Sequence, residues 1–173
     1  MKEAATQISP SEKPQIRFLS AIYFLNKSLL EPTWKSRWER NLKSRHLFNL
    51  TPGPTRAVHK LHTGVLKAYS SLIVQLRIGK IGFNAFLHER RVPDAISPRC
   101  DCDLGIMTVY HVLLICPRWR ELRQRFLAWL KTSDLRQLLN TTKGLKAVVQ
   151  FTLATDLLPQ FQRIAREEQE NRS

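Results

Sequence analysis

Residues 100–116 read C-D-C-D-L-G-I-M-T-V-Y-H-V-L-L-I-C, and they hold all three cysteines of the 173-residue chain together with one of its five histidines. The pattern is C-x-C, eight residues, then H-x4-C. Three thiols and one imidazole, on Cys100, Cys102, His111 and Cys116, form the donor set of a closed tetrahedral zinc site with no position left for water. Soft thiolate sulfur favours zinc over oxygen-loving cations. A closed site holds a loop in shape and activates no nucleophile, so the stretch points to structural Zn2+ in a binding module and away from a metalloenzyme. Two other readings of the same residues stand beside this one. One is a disulfide plus a free thiol; the other is three small apolar cysteines and an unconnected histidine. The C-x-C opening is a tighter chelate than the C-x2-C of most knuckles and ribbons. No secretory signal peptide opens the sequence, so the expected compartment is the reducing nucleus or cytoplasm, where a disulfide fits poorly.

The flanks place this loop. Pro93 and Pro98 bracket an irregular approach, and Gly105 offers a turn between the two ligand pairs. Pro117 suits the first position of a helix, where its missing N–H costs nothing. Trp119, Leu122, Phe126, Trp129 and Leu130 then share one helical face, which predicts an amphipathic helix over 117–131. Arg118, Arg120, Arg123, Arg125 and Lys131 fall mainly elsewhere on it. Asp101 and Asp103, alternating with the thiols, either orient the loop or face water.

Outside the loop the periodicity is helical. Residues 1–14 carry two prolines and little apolar content and read as a frayed tail. Ile16, Leu19, Ile22, Tyr23, Leu29 and Leu30 predict a helix over 15–30 that Pro32 interrupts, and Trp34, Trp38 and Leu42 a second one. The run T-P-G-P-T at 51–55 breaks the chain. Val58, Leu61, Val65, Tyr69, Leu72, Ile73 and Leu76 keep helical spacing for about five turns. Gly79 and Gly82 mark a turn before a short helix at 84–88. Asp134 can cap D-L-R-Q-L-L-N, Lys143-Gly144 separates a final segment at 145–169, and Pro159 kinks or splits that segment. No sustained strand alternation appears. The fold class is therefore all-α, a small helical domain with an embedded CCHC zinc-knuckle-like loop. Its parts are a tail at 1–14, a basic helical region at 15–92, the loop and following helix at 93–131, and C-terminal helices with a polar tail at 132–173.

Charge narrows the partners. Twenty-eight Lys and Arg face 14 Asp and Glu, a formal net charge of +14. Between residues 35 and 99 thirteen basic residues stand against three acids, Glu39, Glu89 and Asp94. Such a field attracts polyanions, and release of counterions from phosphate supplies salt-sensitive, sequence-independent affinity for nucleic acid. Solvated helix faces or an anionic membrane surface would use the same charge, but no lipidation signal and no apolar run of membrane-spanning length accompany it. There is no phosphate-binding glycine loop, nucleophile elbow or H-E-x-x-H, and the acids are scattered rather than paired as two-metal chemistry requires. The chain reads as no enzyme.

Several segments carry a further signal: W-x3-W at 34–38, R-H-L-F-N-L-T-P-G-P-T at 45–55, V-Q-L-R-I-G-K-I-G-F-N-A-F-L-H at 74–88, and C-D-C-x8-H-V-L-L-I-C-P-R-W from Cys100. In this order, from about Arg17 to Arg163, the chain resembles the C-terminal region of fungal non-LTR (LINE-type) retrotransposon polyproteins, downstream of their ribonuclease H domain. The opening K-E-A-A is similar to the end of the last ribonuclease H helix. Where the family pattern has Gly after the second cysteine and Thr in L-R-T-G, this chain has Asp103 and Ile78. The resemblance implies a truncated remnant that begins after the catalytic domains, a partnership with those upstream reverse transcriptase domains, and handling of RNA or DNA. It assigns the zinc ligands Cys100, Cys102, His111 and Cys116. The expected function is a zinc-stabilised nucleic-acid-binding module in which the metal-fixed loop presents Arg90, Arg91, Arg99, Arg118 and Arg120 to phosphates, with Trp119 either stacking on an unpaired base or buried in the core. The alternatives are a helical protein-interaction scaffold with structural zinc, and a retroelement remnant without function.

Overall fold

The computed structural model describes residues 13–40, 45–53 and 55–170. Among these residues the regular structure is helical and no strand occurs; one isolated antiparallel bridge joins Arg99 and Ile106. The protein is all-α, with the Cys/His cluster in a loop. Residues 1–12 and 171–173, most of the expected tails, lie outside the described residues.

The chain divides into two compact units, residues 1–40 and 41–173. The first contains α1 (Lys13–Arg40), 28 residues long, and here the structure departs from the sequence expectation of two helices parted at Pro32. The helix runs through the proline. Hydroxyl groups on either side bond back to the helix: Ser28 Oγ donates to Leu25 O at 2.8 Å and Thr33 Oγ1 to Leu29 O at 3.4 Å, contacts that favour a bend at such a point. Tyr23, Phe24, Leu25, Leu29, Leu30 and Trp34 are exposed along it.

The second unit holds the core. It comprises α2 (Arg45–Leu50), a 3-10 turn at Arg56–His62, α3 (Lys67–Ile78), α4 (Asn84–Glu89), α5 (Arg120–Phe126), α6 (Leu135–Asn140), α7 (Thr142–Ala154) and α8 (Pro159–Glu170). The five-turn helix expected over 58–76 is split. Gly64 adopts φ +71°, a left-handed conformation that ends the 3-10 turn, and α3 starts afresh at Lys67. The apolar series survives the break: Leu61, Leu72, Ile73 and Leu76 are buried, and Val58, Val65 and Tyr69 pack against them. The α3 helix packs on α2, α7 and α8, while α7 packs on α5 and α6. Leu72, Leu76, Leu138, Leu139, Val148 and Phe151 fill the space between them, and each contributes roughly 1.5–3 kcal/mol by leaving water.

Two local features set the helix geometry. Gly144, expected as a separator, lies in the first turn of α7. A methyl group there would fall 2.5 Å from Leu138 O and 2.8 Å from Gln137 O, so only glycine allows α7 this close to the end of α6. Arg77 is buried at the end of α3. Its guanidinium donates to Leu139 O and Asn140 Oδ1, and to Thr51 Oγ1 at 3.0 Å. Asn140 Nδ2 donates in turn to Leu50 O at 2.7 Å. One cation thus satisfies polar groups at the C-terminal ends of α2 and α6, where orphan carbonyls collect. Pro159 begins α8 and so splits the last segment, as its fixed φ favours at a helix start. No helix among the described residues is long and apolar enough to cross a membrane.

Candidate metal centre

The loop before the centre is a tight reversal. Cys100 N–H donates to Gly105 O at 2.9 Å and Met107 N–H to Pro98 O at 2.9 Å, flanking the Arg99–Ile106 bridge. At its tip Asp103 takes φ +57° and its N–H donates to Cys100 O at 2.9 Å. Residues i and i+2 of an extended strand share a face, and the curl keeps both sulfurs of the C-x-C pair within 4.8 Å of the other two donors.

The second ligand pair rests on a different device. Residues His111–Ile115 form a π turn, in which Cys116 N–H donates to His111 O at 2.8 Å. A π turn closes over i to i+5, so His111 and Cys116 stand one turn apart and on the same side. The H-x4-C spacing is therefore the spacing of one π turn. Thr108 Oγ1 anchors the start of the turn by accepting from His111 N–H at 3.2 Å.

The four donors converge. One donor atom from each of Cys100, Cys102, His111 and Cys116 lies within 4.8 Å of all the others. Cys100 Sγ and Cys116 Sγ are 3.6 Å apart, and His111 Nε2 is 3.2 Å from Cys102 Sγ. Two thiolates on tetrahedral bonds of about 2.3 Å would stand about 3.8 Å apart, so little movement is needed to enclose an ion. None of the cysteines is in a disulfide. The cluster can hold a metal ion.

Cys100, His111 and Cys116 are buried and Cys102 is half-buried. Burial pushes the Cys100 thiol up to about 12. The Leu104 N–H, by contrast, holds the Cys102 thiol below its usual value. Burial, and then the Arg123 charge, hold His111 below the ordinary histidine value, which keeps the ring neutral and its lone pair available. Arg123 Nη1 donates to Val112 O at 3.3 Å, pinning the π turn from α5. Gly105 packs directly on the imidazole: a methyl group at this position would meet His111 Nδ1 at 3.2 Å. The sequence marked Gly105 only as a turn and Arg123 only as part of a basic helix; a glycine six residues before a ligand histidine was the one available signal.

Around the centre, Asp101 and Arg118 form an ion pair of 2.6 Å across the outside of the loop, with both side chains exposed. Of the two aspartates, then, Asp101 braces the loop and Asp103 serves its tip through backbone geometry. The remaining arginines expected to face phosphates, Arg90, Arg91, Arg99 and Arg120, are all exposed, and none makes an ion pair among the described residues. Arg90 lies 5.3 Å over the Phe86 ring, and Arg118 5.0 Å over that of Trp119. Trp119 itself is half-buried against the core, and its buried Nε1–H has no acceptor among the described residues.

The helix expected over 117–131 is three pieces: a 3-10 turn at Pro117–Trp119, α5, and a 3-10 turn at Ala128–Leu130 ending on Lys131 at φ +50°. The change of period takes Trp129 off the apolar face. It is 57% exposed, with Nε1–H donating to Phe126 O at 2.8 Å. On the outer surface of the loop Leu104, Ile106, Tyr110 and Ile115 are exposed. In comparisons with known proteins, no protein-family model, curated protein or solved structure matches the chain.

Proposed function

We propose that this chain is a zinc-stabilised nucleic-acid-binding module, derived from the C-terminus of a non-LTR retrotransposon reverse transcriptase, that binds RNA or DNA mainly through phosphates. The observation that carries the reading is the convergence of three sulfurs and one imidazole within 4.8 Å, in a chain of net charge +14. A donor set of three thiolates and a neutral imidazole suits zinc better than harder cations, and it is closed to substrate. The ion would hold the reversal at 98–107 against the π turn and so keep Arg99 and Arg120 at fixed positions beside it. Arg118, engaged by Asp101, contributes less. The module binds and catalyses nothing, and it works in the nucleus or cytoplasm beside the reverse transcriptase domains of its parent element.

The test has two parts. Metal analysis of protein purified without added zinc should give one zinc per chain. Titration with a DNA duplex at several salt concentrations should then give a slope of log K against log salt of about −4, the value for four arginines on four phosphates. Binding without salt dependence overturns the phosphate reading. A second reading rests on the exposed Leu104, Ile106, Tyr110 and Ile115. Apolar side chains grouped on one metal-held loop also suit a protein partner, and a flat salt slope with tight binding to one protein would favour the scaffold.

A further inference from the structure

A cleft of about 560 Å³ opens beside α4, between the Gly79 turn and the segment that leads into the π turn. Its size falls within the roughly 300–1,000 Å³ of small-ligand sites, too small to admit a duplex or a helix. Its floor carries the buried Ile81, Phe83, Met107 and Val109, and His46 and Thr108 add polar groups to its lining. Its rim is charged: Lys80 and Arg90 stand against Glu89, leaving one net positive charge. The Arg90 guanidinium lies 5.3 Å over the Phe86 ring, two planar groups layered at the wall.

We infer that this cleft seats a single unpaired nucleotide of a bound strand, its base layered on the Arg90–Phe86 pair and its phosphate held by Lys80. The inference rests on the nucleic-acid reading above and gives it a preference for single strands. Arginine planes and aromatic rings are the surfaces on which splayed bases stack, and the single net charge of the rim matches a single phosphodiester. A base inside a duplex is already stacked and paired and would have to be extracted before it could enter. Stacking tolerates every base because each has a π-face, so the preference is for unpaired bases of any identity.

The test uses the whole chain with two probes, a ten-nucleotide oligothymidine and a ten-base-pair duplex, followed by fluorescence anisotropy at one salt concentration. Ala85→Trp fills the cleft without altering charge, and Phe86→Leu removes the stacking ring with a smaller change in volume; circular dichroism establishes that each is folded. Single-strand affinity is expected to fall about 5- to 100-fold in both variants, the value of one base stack, while duplex affinity stays within twofold. Equal loss on both probes, or loss on neither, overturns the cleft assignment while leaving phosphate binding intact. A wild-type protein that binds neither probe at low salt refutes the nucleic-acid reading itself, and the cleft assignment falls with it.

Discussion

Replacing Gly105 by alanine tests whether the imidazole sits in the metal centre as the structure places it. The backbone at Gly105 has no positive φ, so alanine fits the chain without strain. Its methyl group, however, would meet His111 Nδ1 at 3.2 Å and Cε1 at 3.4 Å, inside the about 3.5–4.0 Å of ordinary contact. The backbone cannot yield easily, because Gly105 O accepts the Cys100 N–H at 2.9 Å. The ring must therefore move by a few tenths of an ångström, and Cys102 Sγ, 3.2 Å from Nε2, stands on its metal-facing side. Metal–ligand distances tolerate about 0.2 Å. A displaced ligand of this kind costs about 10- to 100-fold in metal affinity, which is about 1.4–2.7 kcal/mol. The metal-free protein should respond in the opposite sense, gaining up to about 1 kcal/mol from the stiffer unfolded chain. Competition with a chromophoric chelator measures the first quantity and urea unfolding of the chelated protein the second. Gly53, where a methyl group would meet nothing within 4 Å, is the control. Zinc affinity within twofold of wild type in Gly105→Ala would refute the placement of His111 against Gly105 in the metal-bound state.

Three further outcomes follow from the fold. Gly144→Ala should gain up to about 1 kcal/mol of helix propensity but lose more from a methyl group 2.5 Å from Leu138 O and from disturbance of the Thr141 cap. The net loss is about 2 kcal/mol, read by urea unfolding, and a stabilised variant would contradict the close approach of α6 and α7. Arg77→Met leaves Leu139 O and the Asn140 side chain without their donor and should cost about 2–3 kcal/mol; a loss below about 0.5 kcal/mol would show that water replaces the guanidinium. Burial holds His46 and His62 below the ordinary histidine value of 6.5. The unfolded chain then binds protons more readily, so their contribution is fully present above about pH 6.5 and is lost as the pH falls from there through the lower folded values. The urea midpoint of wild type should decline over that window, and that of the His46→Gln/His62→Gln variant should decline less; parallel profiles would reject the assignment.

How much of this was legible depended on how far each signal reached along the chain. The cluster could be read because three thiols and one imidazole fell within 17 residues, and a candidate metal site needs little more than donor chemistry and spacing. The all-α class could be read because Leu72, Ile73 and Leu76 keep their period whatever they pack against. Helix boundaries were harder. Gly64 splits the 58–76 series by taking a left-handed φ, yet its spacing is equally that of a tolerated glycine inside a helix. Pro32 does the reverse, sitting inside α1 where local pattern reads as a stop. Trp129 left its expected face because α5 ends at Phe126 and the following turn is 3-10, a change of period that no residue in W-R-E-L-R-Q-R-F-L-A-W announces. The Arg77 contacts and the cleft beside α4 are made by residues distant in sequence, and nothing local encodes them, while the Gly105–His111 contact left only the glycine six residues before the histidine as a signal.

A metal held by this cluster would have a different task from that in a zinc finger. A finger without its ion has no core to fall back on, so its binding free energy is its folding free energy. Here the segment between the ligands contributes Met107, Val109, Val112 and Leu113 to a core continuous with α3, α6 and α7. At roughly 1.5–3 kcal/mol for each buried side chain, that anchorage amounts to roughly 6–12 kcal/mol before entropy is counted. The helices of the second unit can therefore persist without an ion, and a bound ion would govern the part that packing does not hold: the outward loop with exposed Asp101, Asp103 and Leu104, braced by an ion pair too exposed to contribute more than about 1 kcal/mol. Chelation that leaves helix content largely intact but weakens nucleic-acid affinity would follow from this division of labour. On the proposed function, the phosphate contacts of Arg99 and Arg120 would then depend on the metal although the fold would not, and that part of the binding would be coupled to zinc supply.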